Sequence, residues 1–238
     1  RVVLDSVPAQ FAGEAADPVI NAVQGAVSAL PAGARSTPLS VLLGLDRERI
    51  GAERAHRVLS LAADMLVEGP EQDLTDWAAS LGAARTWSEE IVRFEQALAD
   101  RVLAREPAAC AGALAFLVTA VSLPAESASA LATHILNQAE GDPDLRVAVL
   151  RYVAPLARRG GQPSIASSRT ELLRLERAPE SNENGRRAAF ETLRELEGND
   201  WPTADVTTRL RELASSDVAS DNALAEALTP ADDANDHG

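Results

Sequence analysis

The sequence contains no lysine, so all 22 of its strongly basic residues are arginine. This absence excludes a Schiff base, a phosphate-binding loop ending in GKS or GKT, a Ser–Lys dyad and the lysine of protein kinases. An arginine side chain stays charged and pairs with carboxylates through two parallel hydrogen bonds. Arginine must therefore provide both the ion pairs within the fold and any contacts to an anionic partner.

Cysteine and histidine are also scarce. Cys110 is the single cysteine, which excludes an internal disulfide and any metal site made of several cysteines. Because Cys110 lies among alanines in an apolar stretch, we expect a buried structural thiol rather than a reactive one. The three histidines, His56, His134 and His237, show no metal-binding spacing. The sequence therefore predicts no metal site and points to no cofactor.

Aromatic residues make up 3% of the chain, although hydrophobic residues make up 46%. Alanine, leucine and valine supply most of the apolar side chains, which favours closely packed helices over a β-sandwich. No apolar run reaches about 18 residues, so the sequence predicts no membrane span. The nearest run, 108–123, lies between Pro107 and Pro124 and has the length of a buried helix. The sequence begins with Arg1 rather than Met, so a leader removed before it stays an open alternative; none is visible in the sequence, and we expect a cytoplasmic protein.

Acidic residues outnumber arginines, giving a formal net charge of −14 and an isoelectric point near 4.6. An acidic, lysine-free and alanine-rich chain indicates a GC-rich genome and a salt-adapted source. A haloarchaeon is the first expectation and an actinobacterium the second. The net charge argues against non-specific binding of nucleic acid by the whole surface. In molar salt this argument weakens, because screening shortens the electrostatic reach to roughly 3 Å.

Helix start and stop signals recur along the chain, whereas no alternating strand pattern of useful length is present. Asp17 and Pro18 place a capping acid before a first-turn proline, and Ser168 and Glu171 form a capping box. The predicted helices span residues 17–30, 38–45, 50–67, 73–81, 89–104, 108–122, 125–139, 145–159, 168–178, 186–197, 203–215 and 220–228. The sequence therefore predicts an all-α fold in one domain, 1–228, followed by an acidic tail, 229–238.

Two segments of the chain match at an offset of 40 residues, 144–156 and 184–196. Each begins with a polar turn residue, followed two positions later by an arginine. The matching pairs are Asp144/Asn184, Arg146/Arg186, Ala148/Ala188, Leu150/Phe190, Val153/Leu193 and Leu156/Leu196. Because a further predicted helix lies between the segments, the unit is two antiparallel helices in about 40 residues, a length typical of helical repeats.

This pattern resembles the HEAT-repeat family, most clearly over residues 125–197 and more loosely over 53–59. The resemblance implies a superhelix of stacked antiparallel helical hairpins. It also implies a structural ladder between successive repeats, formed by the turn residues and the arginines that follow them. The residues assigned to this ladder are Asp144, Arg146, Asn184 and Arg186. An irregular helical bundle is the alternative architecture.

Arginines are concentrated in residues 146–187, which hold nine arginines and four acidic residues, whereas the rest of the chain holds 13 and 32. One interpretation is a surface that binds an acidic segment of a protein partner, with nucleic acid less favoured. The arginines expected to contact the partner are Arg151, Arg158, Arg159, Arg174 and Arg187. The alternative is that these arginines pair with the acids of the chain itself. The acidic tail 229–238 is a candidate competitor for the same surface.

Three tryptophans support a second function. HEAT-like alkylpurine DNA glycosylases have chains of similar length and hold damaged nucleotides with tryptophans, an aspartate and an arginine. The corresponding residue types here are Trp77, Trp87 and Trp201, with Asp73 and Asp76 beside the first of them. The competing interpretation is that tryptophans fill the gaps left between helices rich in small residues.

A third function is that of a helical regulatory or assembly subunit in a larger complex. It requires an exposed apolar face, for which 108–122 is the candidate. No GxSxG nucleophile motif is present, and no catalytic residue is predicted. The sequence therefore favours a non-catalytic HEAT-like scaffold that binds a protein partner, with the two other functions kept as alternatives.

Overall fold

The computed structural model of the chain describes residues 12–31, 38, 41–42, 44–68, 88–120, 122–141, 147–178 and 182–229. Most of these residues are α-helical, four short segments form 3-10 helix, and none of them is in a β-strand. The predicted all-α fold is confirmed. The predicted helix 73–81 and the tail beyond Thr229 lie outside the described residues.

The chain divides into two compact units, Arg1–Ser127 and Ala128–Gly238. The helices of the first unit are α1 (Asp17–Ala29), α2 (Arg47–Ile50), α3 (Ala52–Glu68), α4 (Ser88–Leu103) and α5 (Ala111–Thr119), and α6 (Ala125–Ala139) crosses the boundary. In the second unit they are α7 (Val153–Gly160), α8 (Gln162–Arg177), α9 (Glu183–Glu197), α10 (Ala204–Ala214) and α11 (Ala219–Leu228). The existence of a single domain over 1–228 stays a prediction.

The core of the first unit is built around α3, which packs against α1, α4 and α5. Apolar side chains recur along α3 and α4 at helical spacing, so each helix has one buried stripe. The ring of Phe94 on α4 meets the ring of Phe116 on α5 edge to face, with centroids 5.9 Å apart. Small side chains at Ala62 and Ala99 are completely buried and let the helices approach closely.

The helix in the most apolar stretch of the chain is shorter than the predicted helix 108–122. Pro107–Cys110 forms a 3-10 turn, and α5 ends at Thr119. Beyond it, the backbone N–H of Ser122 donates to the carboxylate of Glu95 at 2.9 Å instead of continuing a helical ladder. Leu114 and Leu117 are completely buried. The described part of this stretch therefore offers no exposed apolar face for an assembly partner.

The second unit contains a helical hairpin in which Gly161, with φ of +83°, joins α7 to α8. A glycine suits this position because other residues rarely adopt a positive φ. α8 packs against α7 and α9, α10 packs against α11, and α11 contacts α9. Leu156, Leu172 and Phe190 are completely buried between these helices.

The predicted capping box at Ser168 is wrong, because Ser168 lies inside α8 and is 3% exposed. α8 begins six residues earlier, at Gln162. The stronger start signal is local: Gly161 ends the preceding helix, and Pro163 occupies the first turn, where its missing N–H costs no hydrogen bond.

The two matching segments bury equivalent side chains. Leu150 and Phe190, and likewise Val153 and Leu193, are completely buried. The second segment lies within the continuous helix α9, whereas the first contains a 3-10 turn, Leu150–Tyr152, immediately before α7. The burial pattern agrees with the sequence match, and the repeat assignment and the superhelix stay predictions. No helix in the described ranges is both long enough and apolar enough to span a membrane.

Candidate functional site

The arginines predicted to contact a partner fall into two groups. Arg151, in the 3-10 turn, and Arg158 and Arg159, in the last turn of α7, form what we call the α7 arginine group. Residues 147–170 carry four arginines and no acidic residue. Arg151 and Arg158 are both exposed and lie seven positions apart in the sequence.

Each member of the α7 arginine group has a different environment. The guanidinium carbon of Arg151 lies 5.0 Å from the centre of the Tyr152 ring, and its Nη2 donates to the Tyr152 hydroxyl at 3.1 Å. Arg158 is exposed and has no ion pair with any described residue. Arg159 is half-buried. The C-terminal end of α7 adds a partial negative charge that favours cations at these positions.

Arg174 and Arg187, the other two predicted contacts, are paired with acids of the same chain. Arg174 of α8 donates to Glu140 at 2.7 Å and to Glu171 at 2.8 Å, and these hydrogen bonds, first that to Glu171, raise its pKa. Arg187 of α9 donates to Glu191 at 3.0 Å. The pairs of Arg174 with Glu140 and of Arg187 with Glu191 are exposed, and exposed pairs contribute at most about 1 kcal/mol each.

A buried carboxylate lies at the centre of an ion-pair network in the second unit. The side chain of Glu176 on α8 is completely buried and accepts hydrogen bonds from Arg186 of α9, at 3.0 and 3.2 Å. It also accepts hydrogen bonds from Arg209 of α10, at 2.7 and 3.1 Å. Arg186 donates in addition to Asp221 of α11 at 2.6 Å. These four residues, which we call the Glu176 network, link four helices.

The network shifts the pKa values of its members. The hydrogen bond to Glu176 raises the pKa of Arg209. The hydrogen bond from Arg186, aided by one from Ser216 at 2.8 Å, holds the pKa of Asp221 below its ordinary value. Arg209 and Asp221 are therefore charged at neutral pH, and their ion pairs hold the helices of the second unit together.

The residues predicted to form a repeat ladder are placed differently from one another. Arg186 belongs to the Glu176 network, whereas Asn184 is exposed in the first turn of α9. The residue that caps α9 is Asn182, whose side chain accepts from the N–H of Gly185 at 2.7 Å. Asp144 and Arg146 lie outside the described residues, and the ladder stays a prediction.

A second buried carboxylate, Glu197 at the end of α9, is satisfied in a similar way. It accepts a hydrogen bond from Arg169 of α8 at 2.9 Å and two from Thr203, through its N–H and its hydroxyl, each at 2.9 Å. Arg169 is thus used structurally, and Arg177 lies 3.6 Å from Glu212. Intramolecular pairing therefore accounts for much of the arginine cluster outside the α7 arginine group.

The features that suggested a DNA glycosylase are mostly outside the described residues, since this holds for Trp77, Trp87, Asp73 and Asp76. Trp201 is described and half-buried, and its indole N–H is enclosed without a hydrogen-bond partner among the described residues. An enclosed indole N–H is turned away from solvent. Trp201 therefore adds no support for a tryptophan that stacks on an exposed base.

The first unit contains a cleft of about 290 Å³ that sequence reasoning missed. α3 and α4 form its two walls, and Arg47 of α2 also lines it. The residues that line this α3–α4 cleft are Arg47, Ala52, His56, Leu59, Ser60, Glu90, Arg93, Phe94, Ala97 and Arg101. The spacing of three and four residues along α4 was the available signal, since it places these side chains on one helical face.

Basic side chains outnumber acidic ones in the α3–α4 cleft. Arg47 forms an ion pair with Glu90. Arg101 is held by Ser60 and Asp64, each at 3.1 Å. Arg93 is exposed and has no ion pair with any described residue. The cleft thus carries a positive charge excess inside a strongly acidic chain.

Other chemistries receive little support from the described residues. Cys110 is completely buried, and burial raises the pKa of its thiol, so the reactive thiolate is disfavoured. Groups of three or more histidine, cysteine, aspartate or glutamate side chains able to hold a metal ion are not found in the part of the chain that the structure describes.

No protein-family model, no curated protein and no solved structure matches this chain. The HEAT-repeat resemblance therefore rests on the residues quoted for it. The surfaces described above are the basis for inferring what the chain binds.

Proposed function

We propose that this chain is a cytoplasmic, non-catalytic helical scaffold that binds an acidic segment of a protein partner through the α7 arginine group. The observation that carries the proposal is Arg158, an exposed arginine without an ion pair to any described residue. Acidic residues outnumber arginines 36 to 22 in this chain. Arg194 and Arg211 are also exposed and have no ion pair with a described residue, but a glutamate follows each of them directly, whereas no acid lies in 147–170 around Arg158.

The surroundings of Arg158 support the same proposal. Residues 147–170 contain no acid, so no nearby carboxylate in the sequence cancels the local positive charge. Contact with the Tyr152 ring orients Arg151, and a pre-oriented side chain loses less conformational entropy on binding. Carboxylates of an acidic segment match the paired N–H donors of arginine.

Arg174 and Arg187 have a secondary role in this proposal. Their present partners, Glu140, Glu171 and Glu191, form exposed ion pairs that cost little to exchange. A bound acidic segment that extends beyond α7 would replace these intramolecular carboxylates. Arg158 and Arg151 would therefore dominate the affinity, and Arg174 and Arg187 would contribute less.

The test is binding of a fluorescent deca-glutamate peptide to the full chain, measured by fluorescence anisotropy. Arg158→Glu should weaken binding about tenfold or more, because it replaces attraction by repulsion at the contact. Arg211→Glu, at an exposed arginine of α10, makes the same charge change away from α7 and should have little effect. An equal loss for both variants would show that net charge alone governs binding and would overturn the proposal.

A deca-thymidine oligonucleotide provides the comparison with nucleic acid. Tighter binding of this oligonucleotide than of deca-glutamate, with the same sensitivity to Arg158→Glu, would assign the surface to nucleic acid instead. Weaker binding of the oligonucleotide supports the protein partner.

A further inference from the structure

We propose that the α3–α4 cleft is a binding site for a small organic anion, namely a carboxylate or phosphate ester carried on an apolar body. This site lies in the first unit and is independent of the acidic-segment surface proposed above. The inference rests on three observations, which are the arginines that line the cleft, its apolar floor and its volume.

The charge of the cleft favours an anion. Arg47, Arg93 and Arg101 line it, and Glu90 is the one acidic residue among the described lining residues. Glu90 is already engaged by Arg47, and it neutralises one of the three positive charges. Arg93 has no intramolecular partner among the described residues, so its guanidinium group is available to bind an oxyanion.

Arg101 is oriented before any ligand binds. Its Nη2 donates to the Ser60 hydroxyl and its Nε lies 3.1 Å from Asp64, which is itself largely exposed to solvent. Arg93 and Arg101 both line the cleft from α4, and a spacing of eight residues places them about 12 Å apart along the helix axis. The oxyanion is therefore assigned to Arg93, with Arg101 and Arg47 supplying the surrounding positive field.

The floor of the cleft is apolar. Leu59 and Phe94 are 4% and 3% exposed and line it from the two facing helices. Ala52 and Ala97 have small side chains, which leaves the space between the helices open. A volume of about 290 Å³ is at the lower end of the range for small-molecule sites, so it suits one ring or a short chain.

The proposal is tested by isothermal titration calorimetry of the full chain with benzoate, phenyl phosphate and the neutral benzamide. At least one of the two anions should bind, and benzamide should bind about tenfold more weakly or less, because it lacks the charge that Arg93 recognises. The ratio of the dissociation constants of benzoate and phenyl phosphate shows whether carboxylate or phosphate is preferred. Absence of binding by both anions would overturn the proposal.

Two variants locate the site. Arg93→Gln should weaken the binding of the preferred anion about tenfold, and Arg49→Gln, at an exposed arginine of α2 that does not line the cleft, should not. Ala97→Leu should weaken binding without changing the charge, because the added carbons occupy part of the space in the cleft. Retention of full affinity by both Arg93→Gln and Ala97→Leu would place the anion elsewhere and refute the assignment.

The same variants separate this site from the acidic-segment surface. Deca-glutamate binding should be unchanged in Arg93→Gln, whereas Arg158→Glu should leave anion binding in the cleft unchanged. Loss of both activities in Arg93→Gln would contradict the independence of the two sites.

Discussion

Glu176 illustrates what a single buried carboxylate requires of its surroundings. Removing a charged group from water is costly, and the cost is recovered here by four hydrogen bonds from two guanidinium groups. The side chains of Arg186 and Arg209 are 17% and 19% exposed, so both retain limited contact with water. Removal of the carboxylate would leave both arginines without their shared partner.

Glu176→Gln should therefore lower the free energy of unfolding by about 3 kcal/mol, near the lower end for breaking a buried ion pair because both arginines are partly hydrated. Urea denaturation followed by circular dichroism measures the change. Glu212→Gln is the control, since it removes an exposed partner of the same Arg209 and should cost less than about 1 kcal/mol. Similar losses in the free energy of unfolding for the two variants would show that burial of Glu176 does not increase its contribution to stability.

Asp221 is expected to make the stability of the second unit depend on pH. Its folded-state pKa is lowered, mainly by the hydrogen bond from Arg186, so its stabilising contribution is present above its unfolded pKa of 3.8. The contribution is lost as the pH falls through the lower, folded-state pKa. At pH 7, Asp221→Asn should lower the free energy of unfolding by about 1.5 kcal/mol, the magnitude for a hydrogen bond to a charged group.

The measurement is urea denaturation of the wild type and Asp221→Asn from pH 7 down to about pH 3, across the ordinary aspartate range. The difference in the free energy of unfolding between the two proteins should be constant above the unfolded-state pKa of Asp221 and should shrink below it. A difference that stays constant to the lowest pH would mean that the charge of Asp221 contributes nothing.

The α7–α8 hairpin depends on close contact at its turn. A Cβ atom added at Gly160 would lie 2.7 Å from the Cβ of Ser164 on α8 and 3.0 Å from the Cβ of Ser129 on α6. The distance to Ser164 is shorter than two carbon atoms tolerate and the distance to Ser129 is tight, so an added Cβ requires the neighbouring serines to shift.

Gly160→Ala should destabilise the protein by about 1–3 kcal/mol, the usual cost of overpacking. Gly25→Ala is the matched control, because Gly25 is also helical and an added Cβ there meets no atom within 4 Å. Gly25→Ala should stabilise α1 by about 0.5–1 kcal/mol, since alanine has the higher helix propensity. Thermal unfolding of both variants measures the two changes in stability, which should have opposite signs. A stabilising effect of Gly160→Ala would contradict the close contact.

Helices were the most predictable feature of the fold, because their signals are local. The pattern predicts helices over 17–30 and 125–139, and the structure has α1 and α6 there with bounds that agree within one residue. Local signals also compete, which explains the error at Ser168. A capping pattern inside a helix is overridden when glycine and proline provide an earlier start.

The functional surfaces were harder to predict because ion pairing joins distant parts of the sequence. Arg209 finds Glu176 33 residues away, and Arg186 finds Asp221 35 residues away. Composition shows that arginines are concentrated in one region, but it does not show which of them are paired. The α3–α4 cleft was missed for the same reason, since its walls come from helices separated by 19 residues, 69–87.

The molecule as a whole combines a large negative charge with two local surfaces of the opposite sign. Paired arginines lie beside carboxylates in both units, and in the second unit several of these pairs hold helices together. Arg194 and Arg211 of the second unit also have no ion pair with a described residue, and the proposed contacts are Arg158 in that unit and Arg93 in the first. Long-range repulsion from the acidic surface favours partners that reach these arginines through a short, localised contact rather than a broad interface.

The Glu176 network also limits which single substitutions the sequence tolerates during evolution. A neutral residue at position 176 leaves two arginines without their shared carboxylate, and a neutral residue at 186 or 209 weakens the support of the buried acid. Each first substitution therefore costs stability before a second one compensates. We therefore expect these positions and Asp221 to be conserved or substituted together, although they lie on four different helices.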